Sequence, residues 1–504
     1  MDHNEALHLF YEIRRGYTPS DAERAELARV EGLNLSFSEV SDLHGIEYFP
    51  GLKWLYLSRT PLENIEGIET LRELEILKID HTAPRSLLGL EKLPSLRMLS
   101  FAESDIRAFD GMKGNQWLEA LDLSGTRIKN LIGIEDFPSL RELDISHTPT
   151  LRDLHGIEAL GKLRKLVLDD ANVTDITPLL GLETLEELDL CCHSVTSVKG
   201  IEKLKNLRLL ALSFTEITDL TGITELEDLE ELYLFDSRVR DLTGIERLKN
   251  LRKLVLHETM VDKLGGVTEL PLLRELDISA TNISSLEGIG ALKDLKRLSI
   301  NGLTVDSIGE IGKLTKLEAL SMLRVNISDI SCLKPLAALK SLVLTQTDVS
   351  DLSPIEGCYN MEKLAVGGTN VASLEAIRGM KHLAELNIND TYVSSIEEIR
   401  GLSSLRRLYL AYTPVEDISP IEGLIELELL QLEGSKVETL ADVFAELKKL
   451  QYVNLCGLVI DGIPPSLEKL GLRFVLDRGD AWGGRMIVMT DTVLRDQNRD
   501  RFRK

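Results

Sequence analysis

A leucine returns every 22 residues along most of this chain. Leu52, Leu74, Leu96, Leu118 and Leu140 keep that interval, and the count resumes one residue late at Leu163. It then runs through Leu185, Leu207, Leu229, Leu251, Leu273, Leu295, Leu317, Leu339, Met361, Leu383, Leu405 and Leu427. A second slip near Glu446 leads to Leu450, and Val30 opens the series. A short fixed period marks an array of stacked units, because one such unit cannot bury its own apolar face. About twenty units fit between Val30 and Leu470.

Each unit follows the template LxxLxLxxTxIxxLxGIExLxx, as in "LRELDISATNISSLEGIGALKD" at 273–294. The "LxL" part has period two and predicts a short strand with Leu276 and Ile278 facing inward. In the second half apolar residues recur three apart, as in Leu286, Ile289 and Leu292, which suits a turn or two of 3₁₀ helix. These residues resemble leucine-rich repeats, specifically the 22-residue class of the internalins and of the leucine-rich regulatory subunit of protein phosphatase 1. The resemblance implies an α/β solenoid of about 20 coils. It would have a curved parallel sheet on its concave face and 3₁₀ or short helical segments on its convex face. The ninth position, usually Asn in that class, is here mostly hydroxylic, for example Thr60, Thr126, Thr215, Thr281, Thr347, Thr391 and Thr413. A threonine ladder reaching a neighbouring coil's carbonyls is the expected substitute.

Solenoid ends need covers. Residues 1–29 predict a helical N-terminal cap, with Leu7, Phe10, Tyr11 and Ile13 at helical spacing and Ser20 and Glu23 spaced as a capping box. Residues 30–470 are the repeats. Residues 471–504 predict a C-terminal β-hairpin cap, from "LRFVL" and "RMIVM" around a Gly-rich turn, followed by a charged tail.

The repeat assigns a direction to every side chain. Counting each coil from its first leucine, positions 3, 5, 7 and 8 are the expected concave set. Three zones result. The first is acidic: Asp122 and Asp144 in one column, then Asp169, Asp170 and Asp189 from the next two coils. It reads as a solvated face or as a seat for a basic partner or a cation. The second is aromatic, with Phe214, Tyr233 and Phe235, and His257 beside them; such groups on a rigid sheet suit binding. The third comprises Trp54, Tyr56 and Arg59 near one end and Arg406, Arg407, Tyr409 and Tyr412 near the other.

The stretch "LDLCCHSV" at 188–195 looks like chemistry, since thiols and imidazoles ligate metals. In register, Cys191 and Cys192 take concave positions 7 and 8 and His193 points inward, so the three do not converge on one ion. They mark the border between the acidic and aromatic zones. No P-loop, HExxH or paired CxxC is present, and no enzyme, metal or cofactor is expected.

Five cysteines, few and odd in number, argue against a disulfide framework and favour a cytoplasmic setting. The N-terminal stretch lacks the basic start and apolar core of a secretory leader, and no apolar run approaches a membrane span. The net charge of −24 argues against an extended nucleic-acid surface. The expected function is a non-catalytic scaffold that binds a protein or peptide partner, with no nucleic acid and no membrane; the oligomeric state is left open. The resemblance also implies two alternatives: a regulatory subunit of an enzyme such as a phosphatase, or an exported bacterial host-interaction factor.

Overall fold

In the computed structural model the described residues are 2–84, 86–109, 112–440, 442–460 and 462–470, with the backbone of strands at 473–475, 486–488 and 493–494. The chain forms two compact units, Met1–Leu251 and Arg252–Lys504.

The first unit begins with α1 (His3–Arg14) and α2 (Asp21–Leu27). Both open on a capping box, Asp2 with Glu5 and Ser20 with Glu23, which satisfies otherwise orphaned helix-end N–H groups. Ala6, Phe10 and Ile13 are buried, and the Phe10 ring meets Phe49 of the first coil edge-on at 5.9 Å. Gly45 of that coil has φ 93°, and a Cβ there would lie 2.7 Å from Ile13 Cγ2. Glycine is needed twice over, for the backbone angle and for the docking of α1.

Among the described residues of this unit ten three-residue strands follow, from Gly32–Asn34 to Glu231–Tyr233. Neighbouring coils pair in parallel, position for position. The late residue near Thr150 falls in the turn, so Glu142 still aligns with Lys165 and Asp144 with Val167. The second unit repeats the plan from Lys253–Val255 to Tyr452–Asn454, again in parallel register.

The physical cause is uniform. Leucines at positions 1, 4 and 6 and apolar residues at 11, 14, 17 and 20 point inward; Leu273, Leu276, Ile278, Ile283, Leu286, Ile289 and Leu292 are all at most 2% exposed. Each such side chain contributes roughly 1.5–3 kcal/mol by leaving water. The Gly-Ile-Glu motif starts many of the 3₁₀ turns. In one of them Gly67 sits at φ 93° and its N–H donates to the Glu69 carboxylate at 3.1 Å.

Two expectations are corrected. The threonines at position 9 are buried, Thr281 only partly, but they do not bridge coils. Thr60, Thr126, Thr215, Thr281, Thr347, Thr391 and Thr413 each donate to the carbonyl three residues earlier in their own coil, at 2.6–2.8 Å. A hydroxyl on a short stem reaches its own turn, whereas an asparagine amide is long enough to span coils. At the C-terminus, Arg473–Val475 and Met486–Val488 pair in parallel, and Met486–Val488 extends Tyr452–Asn454 in parallel. A hairpin would be antiparallel; these strands instead continue the direction of the sheet edge they join. The charged tail lies outside the described residues.

A candidate protein-binding face

The strand face carries a recurring backbone problem. The N–H at position 7 emerges just past the strand and needs an acceptor. In the first unit Asp122 Oδ1 accepts from Ser124 N at 3.0 Å and Oγ at 2.7 Å, and Asp144 Oδ1 from Ser146 N at 2.9 Å and Oγ at 2.6 Å. Asp189 Oδ1 accepts from Cys191 N at 3.0 Å. In the second unit Asp277 serves Ser279 at 2.9 Å, but Asn387 serves Asn389 at 3.0 Å and Asn454 serves Cys456 at 2.9 Å. Where position 5 serves this N–H, it does so through an oxygen, and a charge is not needed.

Charge on the flanking columns is neutralised in ladders that run from coil to coil. At positions 2 and 3, Glu119 lies between Arg97 and Arg141 at 3.8 and 3.7 Å, Arg208 meets Glu230 at 2.5 Å, and Lys165 meets Glu187 at 3.2 Å. In the second unit Glu318 lies between Lys296 and Lys340 at 2.7 and 2.8 Å, and Arg407 meets Glu385 at 3.0 Å. Among the described residues no Lys or Arg pairs with Asp122, Asp144, Asp169, Asp170 or Asp189. The His147 imidazole lies 3.8 Å from Asp169 Oδ2 and 3.5 Å from Asp170 Oδ2. Burial and then the charge of Asp189 push the Asp169 carboxyl above its usual range.

Among the described coils, the "CCH" stretch is the one place where the turn after the strand shifts. Among the described coils, position 8 is otherwise always left-handed, from Phe37 (φ 63°) through Phe214 (φ 61°) to Gly457 (φ 72°). The Leu185 coil has no such residue. Its turn falls two residues later, at His193 and Ser194, and Cys192 N donates back to Leu190 O at 2.6 Å. Cys192 is fully buried in the slot that threonine fills elsewhere, with Sγ 2.8 Å from Leu168 O of the preceding coil. His193 is turned out to solvent. The expected directions of Cys192 and His193 are thus exchanged, the thiol taking the dry inner position and the more polar imidazole facing water. Cys191 stays at the surface, partly exposed.

These thiols are poor nucleophiles. Burial raises Cys192 to about 12, and burial and Asp189 raise Cys191 as well. Asp169, Asp189 and Cys191 place ligand atoms within 4.8 Å of one another, so they are the set that would hold a cation; Asp170 is not among them.

The exposed imidazole joins an aromatic cluster that the sequence only half disclosed. His193 lies 5.5 Å from Phe214, and Phe214 meets Phe235 edge-to-face at 4.8 Å. Tyr233 stands in the adjoining column, its hydroxyl donating to Glu231 at 2.5 Å. His257 belongs to the second unit, where it lies 3.5 Å from Glu258. Tyr409 and Tyr412 are also in the second unit. Tyr409 is partly exposed between Asn387 and Gln431 in register, and Tyr412 is exposed at φ 56° with its hydroxyl donating to Glu433 at 2.6 Å. The face thus brings together Asp122, Asp144, Asp169, Asp170, Asp189, Cys191, Phe214, Tyr233 and Phe235 within one unit. Among the described residues, no helix is long and apolar enough to cross a membrane.

No protein-family profile and no curated protein matches the chain. Solved structures do resemble it. An internalin of Listeria monocytogenes aligns at 24% identity and TM-score 0.54, over 58% of this chain and 87% of its own. A leucine-rich repeat protein of Leptospira interrogans aligns at 22% identity and TM-score 0.60, over 82% and 98%. TLR13, solved in complex with ssRNA13, aligns at 16% identity and TM-score 0.60, over 92% and 78%. Stacked 22-residue coils, a parallel in-register strand face, 3₁₀ turns opposite it and these structural likenesses agree: the chain is a leucine-rich repeat solenoid.

Proposed function

We propose that this protein is a non-catalytic interaction scaffold whose first-unit strand face binds a protein or peptide. One observation carries the reading. An edge-to-face phenylalanine pair and a surface imidazole are displayed on a hydrogen-bonded ladder, beside carboxylates that no Lys or Arg neutralises among the described residues. Exposed aromatics held rigid lose little entropy on docking, which is why they dominate binding hot spots. The raised thiols argue against nucleophilic chemistry at the cysteines.

RNA is the occupant named for TLR13. The carboxylates of this face repel phosphate, so we infer a protein partner here. No contact described above favours a phosphatase or an exported host-interaction role over this reading. We infer a cytoplasmic setting from the free cysteines; a pool found only in the secreted fraction would contradict it. The binding proposal is tested by photo-crosslinkers placed at Phe214 and, separately, at Tyr359 in cells. A discrete protein adduct from position 214 alone supports it. Adducts from position 359 alone, or RNA adducts from position 214, contradict it.

A further inference from the structure

Between Asp189 and Tyr233 the strand face has a gap. The strand that separates them carries Ala211, in register with both residues, and then Ser213. Ala211 and Ser213 are each 8% exposed, so they form a floor rather than a ridge. Parallel strands lie about 4.8 Å apart, which puts the two flanking columns roughly 10 Å apart at the backbone. One wall is the Asp189 carboxylate, with Cys191 beside it. The other is aromatic: Tyr233 and Phe235, with Phe214 meeting Phe235 at 4.8 Å.

Resting on the scaffold reading above, we propose that this gap is an arginine slot, and that the partner is a basic protein segment which inserts a guanidinium between Asp189 and the Tyr233–Phe235 wall. A guanidinium is flat, stacks on aromatic faces and gives two parallel N–H bonds to a carboxylate. An ammonium would meet the charge but not the flat wall. Charge complementarity selects the same occupant. The neighbouring columns are paired internally, as in Lys165 with Glu187 and Arg208 with Glu230, whereas Asp169 and Asp189 face each other's charge. An arriving cation relieves that repulsion.

Two substitutions separate the slot from the fold. Asp189→Asn keeps the oxygen that serves the Cys191 N–H, as Asn387 does for Asn389 in the second unit. Ala211→Tyr fills the gap with a residue that Tyr56, Tyr233 and Tyr409 show the same column accepts. The probe is a randomised dodecapeptide display library selected on the full-length chain, with Asp351→Asn on the turn side as control. Selected peptides are expected to share an arginine. They should bind at least about tenfold more weakly to Asp189→Asn and to Ala211→Tyr, a loss typical of a partly desolvated charged contact, and equally well to the control. Peptides that lack arginine yet lose affinity for Phe235→Ala overturn the slot and leave the scaffold reading standing. Peptides indifferent to all three strand-face changes, or no selection at all, overturn both.

Discussion

The two units solve one backbone problem with different chemistry. In the first, Asp122, Asp144 and Asp189 accept the N–H at position 7; in the second, Asp277 does so once, and Asn387 and Asn454 do the same work at similar distances. Because an amide suffices, the negative charge on the first unit is surplus to folding. It stands beside a partly exposed aromatic cluster, and on the reading proposed above that pairing separates a recognition surface from ordinary acidic solvation.

The comparison requires the cores to be equivalent while the faces differ. Leu121→Ala in the first unit and Leu320→Ala in the second, both at position 4 and at most 2% exposed, should each cost about 3 kcal/mol in denaturant unfolding. A cost confined to one unit would break the premise of a uniform core. A smaller effect tests the cap itself. Asp144→Ala strands a backbone N–H and should cost about 1 kcal/mol, as should Asn387→Ala, while Asp144→Asn should be near neutral.

Much of this was legible in the sequence, for a physical reason. A period held over so many coils fixes register, and register fixes which leucines are inward; Leu188 and Leu190 are fully buried as expected. The capping role of the aspartates was also written there, as Asp two residues before Ser in "DLS" at 122–124 and "DIS" at 144–146, the spacing of an Asx turn. Column counting reads that pattern as charge alone. The slip at Cys192 was hidden because a count of 22 is preserved while the turn moves by two residues. Its signal is polarity: His193 stands where most other coils bury a hydroxylic or apolar side chain. The slot floor was missed because small residues at 211 and 213 carry no chemistry of their own, and the C-terminal strand direction depends on the sheet edge rather than on the intervening glycines.

Acid–base behaviour sharpens the contrast with effects of opposite sign. Burial raises Asp169, so folding favours its protonated form, and that favourable contribution is lost as pH rises through the raised value. Asp169→Asn should therefore raise Tm slightly at neutral pH, with the gain fading near about pH 4. Glu318, held down to about 2 by hydrogen bonds from Lys296 and Lys340, stabilises the fold above the ordinary glutamate range, and that stability is lost as pH falls toward 2. Glu318→Gln should lower Tm at neutral pH and make no difference near pH 2. The smallest effect concerns the thiols. At pH 8, Cys191 and Cys192 should react with a disulfide reagent far more slowly in the folded chain than after unfolding, because burial holds both protonated.

The most direct test of the central claim is the affinity of the selected peptides for the triple variant Asp122→Asn, Asp144→Asn, Asp189→Asn, measured by titration at physiological salt. If the carboxylates cap the backbone as oxygens and recognise the partner as charges, affinity falls at least about tenfold while the unfolding midpoint stays that of the parent chain. Unchanged affinity at an unchanged midpoint would contradict it.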